Sequence, residues 1–76
     1  MPFDQTIAFG RVLRSHRERK GWSQLKLAEA ADLHINAVGL IERGERSPNL
    51  PTIFSLCRAL DVPVARFMAA VEDAAR

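Results

Sequence analysis

The sequence has few of the residues that mark several large classes of protein. Cys57 is the single cysteine among 76 residues, so no disulfide can form within the chain, which fits a reducing compartment. No apolar run approaches the roughly 18 residues that a membrane-spanning helix requires. The first residues, Met1, Pro2, Phe3 and Asp4, lack the basic and apolar segments of a secretory signal peptide. These absences predict a cytoplasmic protein that makes no contact with a membrane.

Residue arrangements that support catalysis or metal binding are missing as well. The sequence has no nucleophile paired with a base, no catalytic pair of carboxylates and no glycine-rich loop of the phosphate-binding kind. His16, His34 and Cys57 lack the close spacing of a zinc site. We therefore expect no enzymatic activity, no metal and no cofactor, and a chain this short leaves no room for a small-molecule effector pocket.

The sequence does show helical periodicity over almost its whole length. Its hydrophobic content of 47% predicts one globular domain, residues 1–76, whose core is sufficient but small. Alternating apolar and polar runs, typical of strands, are absent, so the predicted class is all-α. Five short helices are expected, at about residues 6–20, 23–31, 34–43, 49–60 and 63–74.

Local signals set the ends of these helices and the sides that face the core. Gly21 and Gly44 are expected to end helices one and three, while Ser23 and Asn49 are expected to cap helices two and four.

In the first helix the apolar face is Phe9, Val12, Leu13 and His16. In the fourth it is Leu50, Ile53, Phe54, Leu56, Cys57 and Leu60. Cys57 is thus predicted to be an inert core thiol.

The most informative segment is the pair of short helices on either side of Asp32. Two such helices joined by a three- to four-residue turn form the helix-turn-helix, a DNA-binding unit. The turn requires a residue at positive φ, and aspartate is one of the few types besides glycine that adopts it, at a cost of about 1 kcal/mol. Ala28 is small enough to let the two helices approach closely.

The third helix separates into two faces. Val38 and Ile41 point inward, with Leu33 below them in the turn.

The opposite face carries Asn36, Gly39, Leu40 and Arg43, with Ile35 and Ala37 beside it near the start of the helix. This face has no acidic residue. Asparagine pairs well with adenine, arginine with guanine or phosphate, and apolar groups with the thymine methyl. We therefore predict that this face reads DNA bases.

Neighbouring residues are suited to the DNA backbone. Gln24 is at the start of the second helix, where free amides and the helix dipole favour a phosphate. Beyond the third helix, Arg43, Arg46, Ser47 and Asn49 form a loop rich in hydrogen-bond donors. The net charge of only +2 is weak support by itself, and Arg11, Arg14 and Arg19 are better explained as a solvated face. Trp22 covers the core or contacts the DNA backbone.

These segments together resemble the Cro and phage-repressor-like (XRE) helix-turn-helix family over roughly residues 9–68. The resemblance is carried by residues 9–14 (FGRVLR), 21–24 (GWSQ), 27–29 (LAE) and above all 41–48 (IERGERSP). The short length and the turn at Leu33 and His34 are similar to those of restriction–modification controller proteins. The family commonly has glycine at the position of Asp32 and a capping serine at that of His34. It commonly has polar or basic residues at the positions of Ile35 and Leu40, so the reading surface here is unusually apolar.

The resemblance implies roles for particular residues. Gln24 matches a glutamine that contacts phosphate and base, and Arg17 and Glu42 match a structural ion pair between the first and third helices. The full predicted DNA-binding set is Gln24, His34, Ile35, Asn36, Ala37, Leu40, Arg43, Arg46, Ser47 and Asn49. The fifth helix often forms a dimer interface in the family, so Val64, Met68 and Val71 either complete the core or, as we favour, bind a second copy.

The predicted function is a transcriptional regulator that binds an inverted repeat in double-stranded DNA as a homodimer. Such a regulator would control its own gene or a restriction–modification system. RNA polymerase is a candidate further partner through Glu29, Glu42 or Glu45. The alternative is an antitoxin-like module whose main partner is a protein. RNA binding is poorly supported, because no exposed aromatic platform is evident.

Overall fold

The computed structural model describes residues 4–76, and the regular elements of this part of the chain are helices. They are α1 (Asp4–Arg19), α2 (Gln24–Ala31), α3 (Ile35–Glu42), α4 (Leu50–Leu60) and α5 (Val64–Ala74). The all-α class and the order of the five helices are confirmed. Within the described residues helix α1 already includes Asp4, two residues before the predicted start near residue 6. The prediction made from Met1, Pro2 and Phe3 lies outside the described residues.

The helix ends follow the predicted capping signals. Ser23 Oγ accepts a hydrogen bond from the Lys26 amide at 3.0 Å, and Asn49 Oδ1 accepts one from the Thr52 amide at 2.9 Å. Each satisfies an amide that the first turn of its helix leaves free. Gly44 ends α3 at φ 75°, with Ile7 of α1 packed against its backbone. Capping therefore explains why these short helices begin and end where they do.

The turn between α2 and α3 has the geometry predicted for Asp32. This residue adopts φ 57° and ψ 47°, and its amide donates to the carbonyls of Ala28 and Glu29. Asp61, which ends α4, has nearly the same backbone conformation. A non-glycine residue in this region carries strain of about 1–2 kcal/mol, which the surrounding structure must offset.

Replacing Asp32 with glycine should raise the free energy of unfolding by about 0.5–1 kcal/mol, because relief of left-handed strain exceeds the extra chain entropy of glycine. Asp32→Ala should instead lower it, since alanine keeps the Cβ and lacks a side chain that hydrogen-bonds locally. Urea denaturation, followed by the circular dichroism signal of the helices, measures the free energy of unfolding of both variants. Equal stability of the glycine and alanine variants would contradict the assigned backbone strain.

The core lies where α1 and α5 meet the other helices. Phe67 of α5 is fully buried, and its ring centroid lies 5.0 Å from that of Phe9 and 5.2 Å from that of His16. His16 is thus a packing residue, as predicted. Cys57 is buried in the same core, and burial raises the pKa of its thiol, so the thiol stays protonated near neutral pH.

The predicted core face of α4 is wrong at two positions. Leu50 is 65% exposed and Phe54 is 49% exposed, whereas Leu56, Cys57 and Leu60 are buried. The six apolar positions span an arc wider than one contact face, and α4 turns its buried side toward α2 and α5. Leu50 and Phe54 lie at the edge of that arc.

The three residues predicted for a dimer interface differ in position. Val71 is 3% exposed and belongs to the core of the single chain, so its assignment to an interface is corrected. Helix α5 packs along α1, and Val71 is enclosed within the single chain. Val64 and Met68 are partly buried and pack against the core, leaving part of each side chain accessible.

No helix within residues 4–76 combines the length and apolar character needed to cross a lipid bilayer. In the same part of the chain, no three histidine, cysteine, aspartate or glutamate side chains are grouped closely enough to hold a metal ion.

Candidate nucleic-acid interface

Helices α2 and α3 form a helix-turn-helix around a tight connection. The Leu33 amide donates to the Ala28 carbonyl at 2.8 Å, which folds the chain back at the end of α2. Ala28 is 1% exposed, and its small side chain allows α3 to cross close to α2. Val38 and Ile41 anchor α3 in the core, as predicted. The outer face of α3 is therefore presented on a rigid support.

The outer face of α3 and the start of α2 enclose one shallow cleft. The residues lining it are Gln24, Ile35, Asn36, Gly39, Leu40 and Arg43. The structure thus brings together most of the predicted reading surface with the predicted contact of α2. Ala37 is half-buried and is not among the residues lining the cleft. None of the lining residues is acidic, so the cleft suits an electronegative partner.

His34 caps the start of α3, a role that serine commonly has in the helix-turn-helix family that the sequence resembles. Its backbone is extended, and its Nδ1 accepts a hydrogen bond from the Asn36 amide at 3.0 Å. In this arrangement Nδ1 carries no proton, and Nε2 is free to face solvent or a ligand. The imidazole therefore holds the first turn of α3 and stays exposed beside Asn36.

A buried ionic network joins α1, α2 and α3 directly beneath the cleft. Arg17 Nε donates to Glu42 Oε2 at 2.7 Å and Arg17 Nη2 donates to Glu42 Oε1 at 3.0 Å, a bidentate pair. Arg17 Nη1 also donates to the Trp22 carbonyl at 2.7 Å. The hydrogen bonds to Glu42 raise the pKa of Arg17 against the opposing effect of burial. The side chains of the pair are almost wholly enclosed, 11% exposed for Arg17 and 3% for Glu42.

Gln24 is the outer member of this network, which the sequence did not reveal. Its Nε2 donates to Glu42 Oε1 at 3.0 Å, and its Oε1 points toward Gly39, 3.8 Å from where a Cβ there would lie. The amide orientation is thus set by Glu42, leaving the carbonyl oxygen and one N–H available in the cleft. Gln24 and Glu42 are 18 residues apart, and no local pattern connects them.

Arg43 occupies the cleft in a defined position. Its Nε donates to Glu45 Oε2 at 2.8 Å, and its Nη1 lies 3.1 Å from the Cβ position of Gly39. Gly39 lies on the outer face of α3, where it was predicted, and it is buried there because the side chains of Arg43 and Gln24 cover it. A glycine one turn before Arg43 gives the guanidinium the space to lie along the helix.

The donor-rich loop after α3 is exposed at Arg46, Ser47 and Asn49. The side-chain oxygen of Asn49 is engaged in capping α4, so its amide N–H groups remain for a ligand. These three residues lie beyond the C-terminal end of α3 and do not line the cleft.

Two lysines beside Trp22 add positive charge close in sequence to Gln24. Lys20 Nζ lies 4.9 Å and Lys26 Nζ lies 5.7 Å from the centre of the Trp22 ring. Trp22 is half-buried and packs against the core on its other side. Lys26 was missed, although its place in the first turn of α2, two residues after Gln24, could have identified it as a candidate phosphate contact.

One of the acidic residues considered for RNA polymerase is inaccessible. The Glu42 side chain is 3% exposed and fully engaged with Arg17 and Gln24, so its assignment to a contact surface is corrected. Glu29 and Glu45 are exposed, and Glu45 is paired with Arg43.

Comparisons with known proteins agree with this geometry. Residues 13–67 match the family model HTH_3, described as helix-turn-helix. Over 63 residues the chain is 36% identical to the HTH-type transcriptional regulator SutR of Escherichia coli strain K12, covering 83% of this chain but only 35% of SutR. It is 38% identical over 56 residues to the control protein C.SmaI of Serratia marcescens, covering 74% of this chain and 67% of that protein.

A solved structure shares the fold at a similar level of identity. The restriction–modification controller protein C.AhdI from Aeromonas hydrophila has a TM-score of 0.79 and 39% identity, covering 82% of this chain and 94% of that one. These relatives are named as regulators and controllers, so the antitoxin interpretation is not favoured. The family match covers most of the chain and includes α2, α3 and the turn between them. The chain belongs to the XRE-type helix-turn-helix family, a family of DNA-binding regulators.

Proposed function

We propose that this chain is a transcriptional regulator that binds an inverted repeat as a homodimer, as expected of a restriction–modification controller. The observation that carries the proposal is the acid-free cleft on the outer face of α3, where Asn36, Arg43 and Gln24 present amide and guanidinium groups. Those groups form bidentate hydrogen bonds with purine edges in the major groove. The exposed loop donors at Arg46, Ser47 and Asn49 are our candidates for contacts with the flanking phosphates.

The dimer follows from what one module can read. A single recognition helix contacts three to four base pairs, which is too few for useful specificity. The domain measures 30 × 24 × 22 Å, a size comparable with one DNA turn of about 34 Å, so two copies fit side by side on successive turns of one face of the duplex. Val64 and Met68, with their remaining accessible surface on α5, are our candidates for the contact between copies. Cytoplasmic location and contact of Glu29 with RNA polymerase belong to the same proposal.

Selection from a random duplex library at about 0.15 M salt, where non-specific phosphate binding is weakened, tests this function. We expect enrichment of an inverted repeat whose half-site centres are about 10 base pairs, or one further helical turn, apart. Enrichment of a single half-site would contradict the dimer. If the folded protein enriches no sequence, the proposed function is contradicted, and the outer face of α3 is better explained as a protein-binding surface.

Asn36→Ala and Arg43→Ala should each weaken binding to the selected operator by about 1–3 kcal/mol per half-site, because each removes a bidentate base contact. Arg58→Ala removes an equal charge from the exposed side of α4, away from the cleft, and should change affinity little. Fluorescence anisotropy with the operator and with a scrambled duplex measures the effect. Operator affinity that survives both cleft substitutions would refute the assigned reading face.

A further inference from the structure

Arg43 is held from two sides in a way that the proposed function does not require. Its Nε is bound by Glu45 Oε2 at 2.8 Å, while its Nη1 rests over the backbone of Gly39, 3.1 Å from the Cβ position. Both side chains of the ion pair are more than half exposed, and exposed pairs contribute little to folding stability. The pair therefore calls for an explanation other than stability.

The position of Glu45 is itself fixed by the end of α3. Its amide donates to the Leu40 carbonyl at 2.9 Å, and the preceding Gly44 takes the left-handed conformation that turns the chain back toward the helix. Ile7 of α1 packs against Gly44 on the other side. The backbone of Glu45 is therefore held in a tight turn next to Arg43, and this turn fixes the point from which the Glu45 side chain extends.

The chemistry of the guanidinium makes this arrangement selective. Arginine has five N–H donors in a planar fork, and a carboxylate bound at Nε leaves the end formed by Nη1 and Nη2 free. That end matches the O6 and N7 acceptors of guanine bidentately. Since side chains on a helix tilt toward its N-terminus, Arg43 reaches back to Gly39, in the middle of α3, instead of extending past the helix end.

We propose that Glu45 and Gly39 are positioning residues that hold Arg43 to read a guanine in each half-site, rather than to bind a phosphate. The inference rests on the proposed DNA-binding function. Glu45 directs the guanidinium plane through Nε, and the absence of a Cβ at Gly39 provides the space in which it lies. A phosphate contact would need neither, because arginine can bind a phosphate in many orientations and carries no sequence information there.

The test compares base preference with overall affinity, which respond differently to the two roles. Operators are selected from a random duplex library by the full chain, then by the variants Arg43→Ala, Glu45→Gln and Gly39→Ala. Arg43→Ala should lose a guanine preference at one base pair of each half-site. Glu45→Gln and Gly39→Ala should lower discrimination at that same base pair about 5- to 10-fold, the lower part of the range that a bidentate contact contributes.

Affinity for a non-specific duplex provides the internal control. Glu45→Gln removes a negative charge near the DNA, so non-specific affinity should stay equal or rise while discrimination falls. Glu72→Gln removes the same charge from the exposed side of α5 and should leave base preference unchanged. In an Arg43→Ala background, Glu45→Gln should cause no further loss of preference, because the residue through which it acts is gone.

Different failures have different meanings. If Arg43→Ala loses the guanine preference while Glu45→Gln and Gly39→Ala keep it, positioning is refuted and the proposed function stands. If Arg43→Ala weakens all duplexes equally without changing base preference, Arg43 contacts phosphate and this inference is overturned. If the wild-type chain selects no sequence, the proposed function fails and this inference fails with it.

Discussion

Replacing Gly10 with alanine is expected to lower the free energy of unfolding by about 3 kcal/mol or more, the upper part of the range for overpacking. A Cβ at this position would overlap the Ile41 carbonyl oxygen and would lie 2.6 Å from that of Glu42. Both atoms belong to the backbone of α3, so no side chain can rotate away and α1 must move. The movement would also separate Arg17 from Glu42, adding to the loss. For a domain of this size about 3 kcal/mol is a large share of the total stability.

Gly39→Ala is the matched control, because Gly39 is also buried inside a helix. Its Cβ would meet the end of the flexible Arg43 side chain rather than backbone. Alanine is the better helix former by about 1 kcal/mol, so this variant should be as stable as the wild type or more so. Urea denaturation monitored by circular dichroism compares the two. Equal stabilities for the two variants would show that α1 and α3 are not in close backbone contact.

The helices and the two sides of α3 could be predicted from sequence because their signals are local. Ser23 and Asn49 cap their helices through amides three residues away. Asp32 lies at the turn where a left-handed residue is required. The inward side of α3 follows from the helical repeat alone, and the structure has Val38 and Ile41 there. Each of these inferences needed only neighbouring residues.

The predictions that were wrong or incomplete concern residues whose burial or contacts depend on a neighbouring helix. Periodicity gives the direction of an apolar face but not the width that a neighbour covers, which is why Phe54 of α4 is half exposed. Val71 was expected to be available to a partner, but the packing of α5 within the single chain buries it. The Arg17–Glu42 pair entered through family resemblance, while the bond from Gln24 to Glu42 joins residues that only the packing of α2 on α3 brings together.

The buried network makes a second large effect testable. Glu42→Ala should lower the free energy of unfolding by about 3–5 kcal/mol, because it leaves the enclosed Arg17 guanidinium without its counter-charge. The Arg17 side chain is 11% exposed, so water can replace the lost carboxylate only in part. The hydrogen bonds to Glu42 raise the pKa of Arg17 in the wild type, and an arginine stays charged near neutral pH without them, so Arg17 is charged in both proteins. The loss should therefore be nearly constant between about pH 6 and 9.

The double variant Arg17→Met with Glu42→Leu separates stability from function. Apolar replacement of both members of a buried pair is often neutral or stabilising, so most of the stability should return. DNA discrimination should not return, because Gln24 Nε2 then has no carboxylate to orient its amide in the cleft. Denaturation and operator binding measured on the same preparations decide the outcome. Recovery of both properties would mean that the network only supports the fold; recovery of stability alone would show that Glu42 also sets the donor and acceptor that Gln24 presents to a base.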